Sequence, residues 1–201
     1  KNMQTDFLVI GSGIAGLTYA LKTAKQFPDK KVLVITKTNA DETNTKYAQG
    51  GIAGVWDEDK DSFDKHIDDT LIAGDGLCNK HIVEIVVKEG PERIREMIEY
   101  GANFDKNESG DYALGREGGH SEYRILHHKD VTGKEMERAL LSQLASLPNI
   151  HLLNHCFVID LITQHHLGYL VTKSTLDITC YGVYVLDLQK NQIEKKRTQL
   201  N

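Results

Sequence analysis

The sequence has few cysteines and no long hydrophobic run. Its three cysteines, Cys78, Cys156 and Cys180, lie far apart and match neither a disulfide framework nor a metal-ligand spacing. We therefore interpret them as buried thiols and expect a reducing, cytoplasmic location. No apolar run approaches the ~20 residues that cross a membrane. Without such a run we expect no membrane partner. No secretory signal is visible, since the first apolar stretch is itself predicted to be a strand of the fold.

The sequence also lacks a large excess of either charge. The formal net charge is −5 at pH 7, which argues against nucleic acid and against an anionic membrane surface as partners. With 40% hydrophobic and 26% charged residues, the composition suffices for a hydrophobic core. A chain of 201 residues forms one large domain or two small ones.

An informative glycine pattern lies near the N-terminus. The apolar residues 7–10 predict a strand, residues 11–16 carry the pattern G-x-G-x-x-G, and a helical run follows over 17–27. A strand that ends in a glycine turn at a helix N-terminus is suited to bind a phosphate group. The next strand, 32–35, completes a βαβ unit of about 30 residues. We predict an adenine dinucleotide site here; the alternative is a glycine-rich turn between a core strand and a core helix.

Two further features bear on which dinucleotide binds. NAD sites usually carry an acidic residue after the second strand, whereas this strand ends in Thr36 and Lys37. A basic residue would suit the 2′-phosphate of NADP, and the alternative is a solvated lysine. The polar segment 43–53 ends in Gly50, Gly51 and small residues, whose backbone N–H groups can lie against a phosphate or a flat ring. The alternative is that segment 43–53 is an ordinary surface loop.

The remaining elements are predicted to be helices first and strands afterwards. A break at Gly90-Pro91 and a glycine-rich loop over 107–119 separate the helices, which are expected at 61–73, 80–88, 92–100 and 132–147. Thr132 and Glu135 have the spacing of a capping box for the last helix. Beyond Pro148 the pattern predicts an antiparallel meander of four strands, at 150–153, 157–163, 169–172 and 182–188. The fold class is therefore α/β, with a parallel sheet and an antiparallel β-meander.

Four stretches of the sequence occur together in a fixed order. They are Val9 to Leu17, Tyr47 to Ala53, Asp68 to Gly76, and Arg116 to Ser121 followed by Arg124 to His127 and Asp130 to Gly133. With them the chain resembles the N-terminal part of the L-aspartate oxidase family, in the succinate dehydrogenase and fumarate reductase flavoprotein superfamily. The resemblance covers residues 6 to about 160.

The resemblance implies a Rossmann-like FAD-binding domain over residues 1–201. The domain would be incomplete, since the capping and C-terminal helical domains of the family would lie outside the chain. Asn44 stands where respiratory relatives carry the histidine that is linked to the flavin, so FAD should be non-covalent. The residues implied to bind FAD are Gly11, Ser12, Gly13, Ile14, Ala15, Gly16, Lys37, Asn44, Thr45, Lys46, Tyr47, Ala48, Gln49, Gly50, Gly51 and Val158.

The resemblance also implies an activity. It is the oxidation of L-aspartate to iminoaspartate on the route to quinolinate and NAD, with oxygen or fumarate as electron acceptor and a functional link to quinolinate synthase. The family's essential catalytic residues lie later in the sequence, so the 201-residue chain is expected to be inactive alone. The alternatives are a soluble fumarate reductase or succinate-oxidising flavoprotein, and a non-catalytic NADP-binding module that uses Lys37.

A few polar residues are candidates for substrate contact. The resemblance places Glu117 near the substrate amino group, against the alternative of an exposed loop carboxylate. His120 is a candidate to bind a carboxylate or an FAD phosphate. The alternative is that His120 is a packed histidine with a structural role. Arg116 and Arg124 are candidate carboxylate clamps, with surface salt bridges as the alternative. The pairs His127-His128 and His165-His166 would point to opposite faces of a strand, so we expect no metal site.

Overall fold

The computed structural model describes residues 3–198, which fold as an α/β protein. The elements in chain order are β1 (Met3–Thr5), β2 (Phe7–Ile10), α1 (Ile14–Gln26), β3 (Val32–Ile35), β4 (Ile52–Ala53), α2 (Phe63–Ala73), α3 (Lys80–Glu99), β5 (Ile125–Leu126), α4 (Thr132–Ala145), β6 (Ile150–Leu153), β7 (Cys156–Ile162), a 3-10 helix (Gln164–Leu167), β8 (Gly182–Asp187) and β9 (Gln192–Thr198). Backbone contacts divide them into two compact units, one of residues 3–43 and 140–198 and the other of Asn44–Ala139. The single FAD-binding domain expected over residues 1–201 stays a prediction.

The first unit contains a parallel sheet in which β3 lies between β2 and β6. Phe7 pairs with Val32 on one side of β3, and Ile35 pairs with Leu153 on the other. All four residues of β3 are buried, as expected for a central parallel strand with a continuously aliphatic sequence. Helix α1 connects β2 to β3 and buries Leu17. The predicted βαβ unit is therefore confirmed.

Asn149 holds the C-terminal end of α1 in the first unit. Its side-chain Nδ2 approaches the carbonyl oxygens of Ala24 at 3.1 Å, Phe27 at 3.2 Å and Lys30 at 3.1 Å. These carbonyls belong to the last turn of the helix and to the connection that follows it. Because the last carbonyls of a helix have no partner within it, the amide of the residue before β6 stabilises the turn into β3.

A second sheet of the first unit has the strand order β1-β9-β8-β7. Strands β7, β8 and β9 are antiparallel, and β1 runs parallel to β9. The two sheets share a hydrophobic core that is made of Leu33, Ile35, Cys156, Val183 and Val185.

The predicted four-stranded meander is only partly right. Residues 150–153 form a strand, but it pairs in parallel with β3, and residues 169–172 form no strand. The third antiparallel strand is β9, whose polar sequence does not predict a strand. Its backbone pairs on both sides, and the ammonium of the buried Lys196 lies 2.6 Å from a carboxylate oxygen of Glu194.

The second unit is built on helices α2 and α3 and the short β4–β5 pair. Helix α2 begins after Ser62, whose hydroxyl accepts a hydrogen bond from the Lys65 N–H at 3.2 Å. The predicted break at Gly90-Pro91 is wrong, because α3 continues through Pro91. An interior proline removes one N–H donor and its ring crowds the carbonyl of the residue four positions earlier, which costs about 3 kcal/mol. The buried face that includes Pro91 and Ile94 stabilises the helix across this position.

Helix α4 is confirmed, but its predicted capping box is wrong. Thr132 is the first helical residue, and its hydroxyl accepts from the His128 N–H at 3.0 Å. The carboxylate of Glu135 accepts from the Asn103 N–H at 2.8 Å and from Arg138 at 2.7 Å. Both side chains therefore bind groups outside the start of the helix instead of capping it.

The three thiols differ in exposure. Cys156 is buried as expected, whereas Cys78 is partly exposed and Cys180 is exposed, so the expectation of three buried thiols is wrong for two of them. None of the helices within residues 3–198 combines the length and the apolar character that crossing a lipid bilayer requires.

We predict that Leu33→Ala lowers the free energy of unfolding by about 3 kcal/mol, because it empties a core site. Leu33 is 1% exposed, whereas Leu170 is 86% exposed. The matched control Leu170→Ala should therefore change stability by less than about 0.5 kcal/mol. Chemical denaturation of both variants measures the difference. Equal losses in the two variants would contradict the packing described for β3.

Candidate functional site

The glycine turn between β2 and α1 has a backbone geometry that other residues would disturb. The Gly11 N–H donates to the carbonyl of Ile35 at 2.8 Å, and Gly11 has φ +100°, in the left-handed region. A Cβ on Gly16 would lie 2.1 Å from the Gly11 carbonyl oxygen. The turn therefore needs glycine at both positions, at the first for its φ angle and at the second for close packing.

The N-terminus of α1 is open to an anion. Its N-cap is Gly13, no side chain caps the helix, and its first turn contains no acidic residue. The Ser12 hydroxyl donates to Thr36 Oγ1 at 3.1 Å, and both side chains are buried. Because these side chains are buried, the backbone of the turn and the positive end of the helix dipole are the groups that this turn can offer to a phosphate.

The other first-unit residues predicted to bind the cofactor occupy different surroundings. Ile14 and Ala15 are exposed in the first turn of α1. Lys37 is exposed beyond the end of β3, at the same carboxyl edge of the parallel sheet as the glycine turn. Val158 lies in β7 with its side chain packed against the core of the first unit. Its contribution to a cofactor site would therefore come from its backbone.

In the second unit, the segment Asn44–Gly51 is held against the start of α4. The Ala48 N–H donates to the Thr45 carbonyl at 3.1 Å, and the Ala48 carbonyl accepts from the Gly133 N–H at 3.0 Å. A Cβ on Gly133 would lie 1.8 Å from the Thr45 carbonyl oxygen. Gly133 therefore permits the contact between two stretches that are far apart in the sequence. Other predicted residues of this segment are the exposed Asn44, Tyr47 and Gln49 and the partly buried Lys46.

The glycine pair of this segment lies beside β5 and Glu117. A Cβ on Gly51 would lie 2.1 Å from a side-chain carbon of Ile125. The Glu117 carboxylate accepts a hydrogen bond from the Gly51 N–H at 3.2 Å, and its oxygens lie next to Gly50. The structure thus brings Glu117, which is predicted to contact the substrate, next to the glycine pair that is predicted to bind the cofactor.

Arg124 is the centre of a buried ion network that the sequence does not predict. Its guanidinium is 0% exposed and binds Asp61 through two nitrogens, at 2.8 and 2.6 Å. A third nitrogen lies 2.5 Å from Asp69 Oδ2 and 3.2 Å from His120 Nδ1. Both interpretations of Arg124 are therefore wrong, since it is neither a substrate clamp nor a surface ion pair. Arg116, by contrast, stacks over the ring of Tyr123 at 5.6 Å.

The network shifts the pKa of its members. Burial tends to raise the pKa of Asp69, but hydrogen bonds from the Ser121 backbone and from Arg124 outweigh it and lower the pKa to about 2. Burial lowers the pKa of His66 to about 4, with repulsion from Arg124 and His120 adding to it. His66 is therefore neutral at neutral pH, and the carboxylates around Arg124 are ionised.

Neither histidine pair lies in a strand, so the strand geometry predicted for both pairs is wrong. His127 and His128 follow β5, and their Nδ1 atoms lie 3.0 and 3.7 Å from oxygens of Asp105. The 3-10 helix contains His165 and His166. Within residues 3–198, no three histidine, cysteine or acidic side chains are grouped as a metal site would need.

The family assignment follows from a comparison with known families. The family model described as FAD binding domain matches residues 6–199. This chain belongs to that family. FAD, predicted from the sequence, is therefore confirmed as the cofactor, and the turn around Gly11, Gly13 and Gly16 fits it because an uncapped helix N-terminus there can receive a phosphate.

The curated relatives of this FAD binding domain include L-aspartate oxidases. L-aspartate oxidase 2-a, chloroplastic, of Nicotiana tabacum is 48% identical over 94% of this chain and 27% of its own length. The chloroplastic enzyme of Arabidopsis thaliana gives the same values, and that of Yersinia pestis is 43% identical over 97% of this chain and 36% of its own length. The predicted resemblance is confirmed, although the chain spans only 27% to 36% of these three relatives.

Solved flavoproteins share the fold. An Escherichia coli quinol fumarate reductase FrdA has a TM-score of 0.86 and 27% identity, over 98% of this chain and 32% of that chain. Mycobacterium smegmatis Sdh1 has a TM-score of 0.83 and 26% identity, over 98% of this chain and 33% of that chain. The predicted α/β class with a parallel sheet is confirmed.

We predict that acid weakens this domain partly through Asp69. A carboxyl whose folded pKa is about 2, below the ordinary 3.8, stabilises the fold above pH 3.8 and loses that contribution as pH falls towards 2. The free energy of unfolding should therefore fall less steeply between pH 4 and pH 2 in Asp69→Asn than in the wild type. The control Asp68→Asn, at an exposed neighbouring position, should keep the wild-type slope. Denaturant unfolding at each pH measures the free energy of unfolding. If it falls equally steeply with pH in all three proteins, the prediction is disproved.

Proposed function

We propose that this chain is the N-terminal part of an FAD-dependent L-aspartate oxidase, which converts L-aspartate to iminoaspartate. The observation that carries the proposal is the Glu117 carboxylate, which accepts a hydrogen bond from the Gly51 N–H beside the glycine pair that is predicted to bind the cofactor. A carboxylate at this position can pair with the ammonium group of an amino acid. The L-aspartate oxidases among the curated relatives support the same substrate.

The first unit would supply a Rossmann-like site for FAD. We propose that the turn over residues 11–16 binds the pyrophosphate through its backbone, and that Lys37 binds a phosphate or ribose oxygen at the same edge of the sheet. The family supports FAD over the alternative of an NADP-binding module. The resemblance further supports non-covalent binding, because asparagine at position 44 cannot form the histidine link of respiratory relatives.

The second unit would supply contacts to the substrate and to the rest of the cofactor. When bound, FAD accepts the hydride that leaves Cα of L-aspartate. The backbone of segment 44–51 and the carboxylate of Glu117 are fixed by hydrogen bonds within the unit, so they can orient a ligand with little loss of conformational freedom. We propose His120 as the partner of a substrate carboxylate, on the same loop as Glu117.

A second candidate function is a soluble fumarate reductase or succinate-oxidising flavoprotein. The likeness to the Escherichia coli quinol fumarate reductase supports it. The two functions differ at Glu117, because a dicarboxylate without an ammonium group gains nothing from a carboxylate there. We favour L-aspartate oxidase on this residue and on the higher identity to the curated L-aspartate oxidases.

The reaction also needs an electron acceptor and a next enzyme for its product. Oxygen or fumarate would accept the electrons, and the product would supply quinolinate synthase on the route to NAD. We propose a cytoplasmic location on the basis of the cysteine spacing, whereas the plant relatives are named chloroplastic. The curated relatives are about three times as long as this chain, and we propose that the chain alone does not turn over L-aspartate.

We predict that the purified chain binds FAD and releases it on denaturation, as a non-covalent site requires. Gly16→Ala should weaken FAD binding at least about tenfold, because a Cβ there meets the Gly11 carbonyl and distorts the phosphate-binding turn. The control Gly90→Ala has its nearest neighbouring atom at 3.8 Å and should bind FAD like the wild type. Flavin absorbance and fluorescence measure both. Wild-type affinity in Gly16→Ala, or tighter binding of NADPH than of FAD, would contradict the assignment.

We predict that Glu117→Gln in the complete protein lowers kcat/KM for L-aspartate by about 10- to 100-fold, since a charge-assisted hydrogen bond is lost. Fumarate has no ammonium group, so its reduction should change little. Glu122→Gln is a suitable control, because Glu122 pairs with Lys65 at the surface of the second unit. Steady-state kinetics with both substrates separates the two functions. An equal loss with fumarate, or a wild-type preference for succinate over L-aspartate, would favour the second candidate.

A further inference from the structure

His120 receives a hydrogen bond whose direction is fixed by chemistry. Its Nδ1 lies 3.2 Å from a terminal guanidinium nitrogen of Arg124. A guanidinium group only donates hydrogen bonds, so Nδ1 must be the acceptor. In the neutral imidazole the single proton then lies on Nε2. No residue within 3–198 is described as a hydrogen-bond partner of this Nε2, and the ring is partly exposed.

Arg124 cannot easily turn away from His120. Asp61 holds it through two hydrogen bonds and Asp69 through a third, and the side chain is fully buried. Asp69 also accepts from the Ser121 N–H and hydroxyl, both at 2.8 Å, which ties the residue after His120 to α2. The orientation of the imidazole is therefore imposed from the interior of the second unit.

A tight turn places His120 near Glu117. The His120 N–H donates to the Glu117 carbonyl at 3.2 Å, and Gly119 between them has φ +85°, which favours glycine. His66 is the other imidazole nearby, with ring centroids 5.6 Å apart, and its buried Nδ1 has no hydrogen-bond partner in the described structure. One turn therefore presents an acceptor, the Glu117 carboxylate, and a donor, the His120 Nε2–H.

We propose that Arg124 is a positioning residue that fixes His120 as a hydrogen-bond donor through Nε2, for a carboxylate of an amino dicarboxylate whose ammonium pairs with Glu117. This inference rests on the proposed function for its ligand. In this tautomer Nε2 already carries a proton, so neutral His120 orients the substrate and does not accept a proton from it. Arg124 acts on the ligand only through His120.

The tautomer can be measured on the 201-residue chain without any turnover. Histidine is labelled with ¹⁵N, and the His120 signals are identified by their loss in His120→Gln. We expect an unprotonated Nδ1 and a protonated Nε2. Arg124→Lys replaces the planar guanidinium, which binds Asp61, Asp69 and His120 together, with a single ammonium that cannot bind all three. We expect the ammonium to stay with the two carboxylates, so that the two tautomers of His120 average. The matched control Arg138→Lys changes an arginine that binds Glu135 and should leave the His120 signals unchanged.

The wild-type spectrum decides the tautomer even where Arg124→Lys fails to fold. A proton on Nδ1, or averaging of both tautomers in the wild type, would overturn the proposal. The same holds if a folded Arg124→Lys keeps the wild-type His120 signals, since Arg124 would then not control the tautomer.

The ligand is tested in the complete protein with two amide variants. The amide nitrogen of glutamine can occupy the place of Nε2, whereas that of asparagine reaches only the place of Nδ1. His120→Asn should therefore raise KM for L-aspartate about tenfold, the loss of one hydrogen bond to a charged group, with a smaller change in kcat. In His120→Gln, the KM for L-aspartate should lie much closer to the wild-type value. Equal KM values in both variants would overturn the donor role.

Failure of the proposed function would look different. A complete protein that binds FAD but does not oxidise L-aspartate would refute the proposed function and the amino dicarboxylate ligand, while the ¹⁵N spectrum would still report whether Arg124 fixes His120. If succinate, used as a probe on the FAD-loaded complete protein, leaves the His120 Nε2–H signal unchanged, the carboxylate partner is refuted.

Discussion

The ion network of Arg124 with Asp61 and Asp69 is the constraint on which the rest of the second unit depends. A guanidinium that is removed from water is tolerated only when its donors are satisfied, and loss of one partner from such a buried pair typically costs about 3–5 kcal/mol. Asp61 precedes α2 and Asp69 lies within it, so the network attaches the loop before β5 to that helix. The residues proposed to contact substrate are thus positioned by the interior of the unit.

Local patterns in the sequence predict the first unit well. The bounds of β2, β3 and β6 match the apolar segments, because a short aliphatic run flanked by turn residues has few other structures available. The errors arise where pairing is non-local. Whether 150–153 joins an antiparallel meander or a parallel sheet depends on a partner more than 100 residues away, and β9 is a strand because β8 and β1 bind its backbone, not because its side chains are apolar.

The candidate site divides in the same way. The glycine turn is predictable, since its residues act on one another within a few positions. The role of Arg124 is not, because its partner Asp61 is 63 residues away, and a charged residue in a loop ordinarily indicates a surface. Asp69 and Gly133 both lie in stretches that carry the resemblance, so motif membership was the available signal. The motifs mark Asp69 and Gly133 as part of the resemblance, whereas only the contacts in the structure show what each residue does.

The close-contact glycines explain why so few side chains are left to determine the substrate. At Gly16, Gly51 and Gly133 a Cβ would overlap a neighbouring backbone or side-chain atom. Glycine at each position therefore lets the main chain pack directly against its neighbour. Main-chain donors can bind phosphates and ring edges of any dinucleotide-containing ligand alike. Discrimination between ligands that differ by an ammonium group must then come from charged side chains on the adjoining loop. In the proposed function Glu117 supplies the negative charge at that place. His120, whose Nδ1 is occupied by Arg124, would offer a ligand only its Nε2–H, so the turn would favour an amine beside a carboxylate.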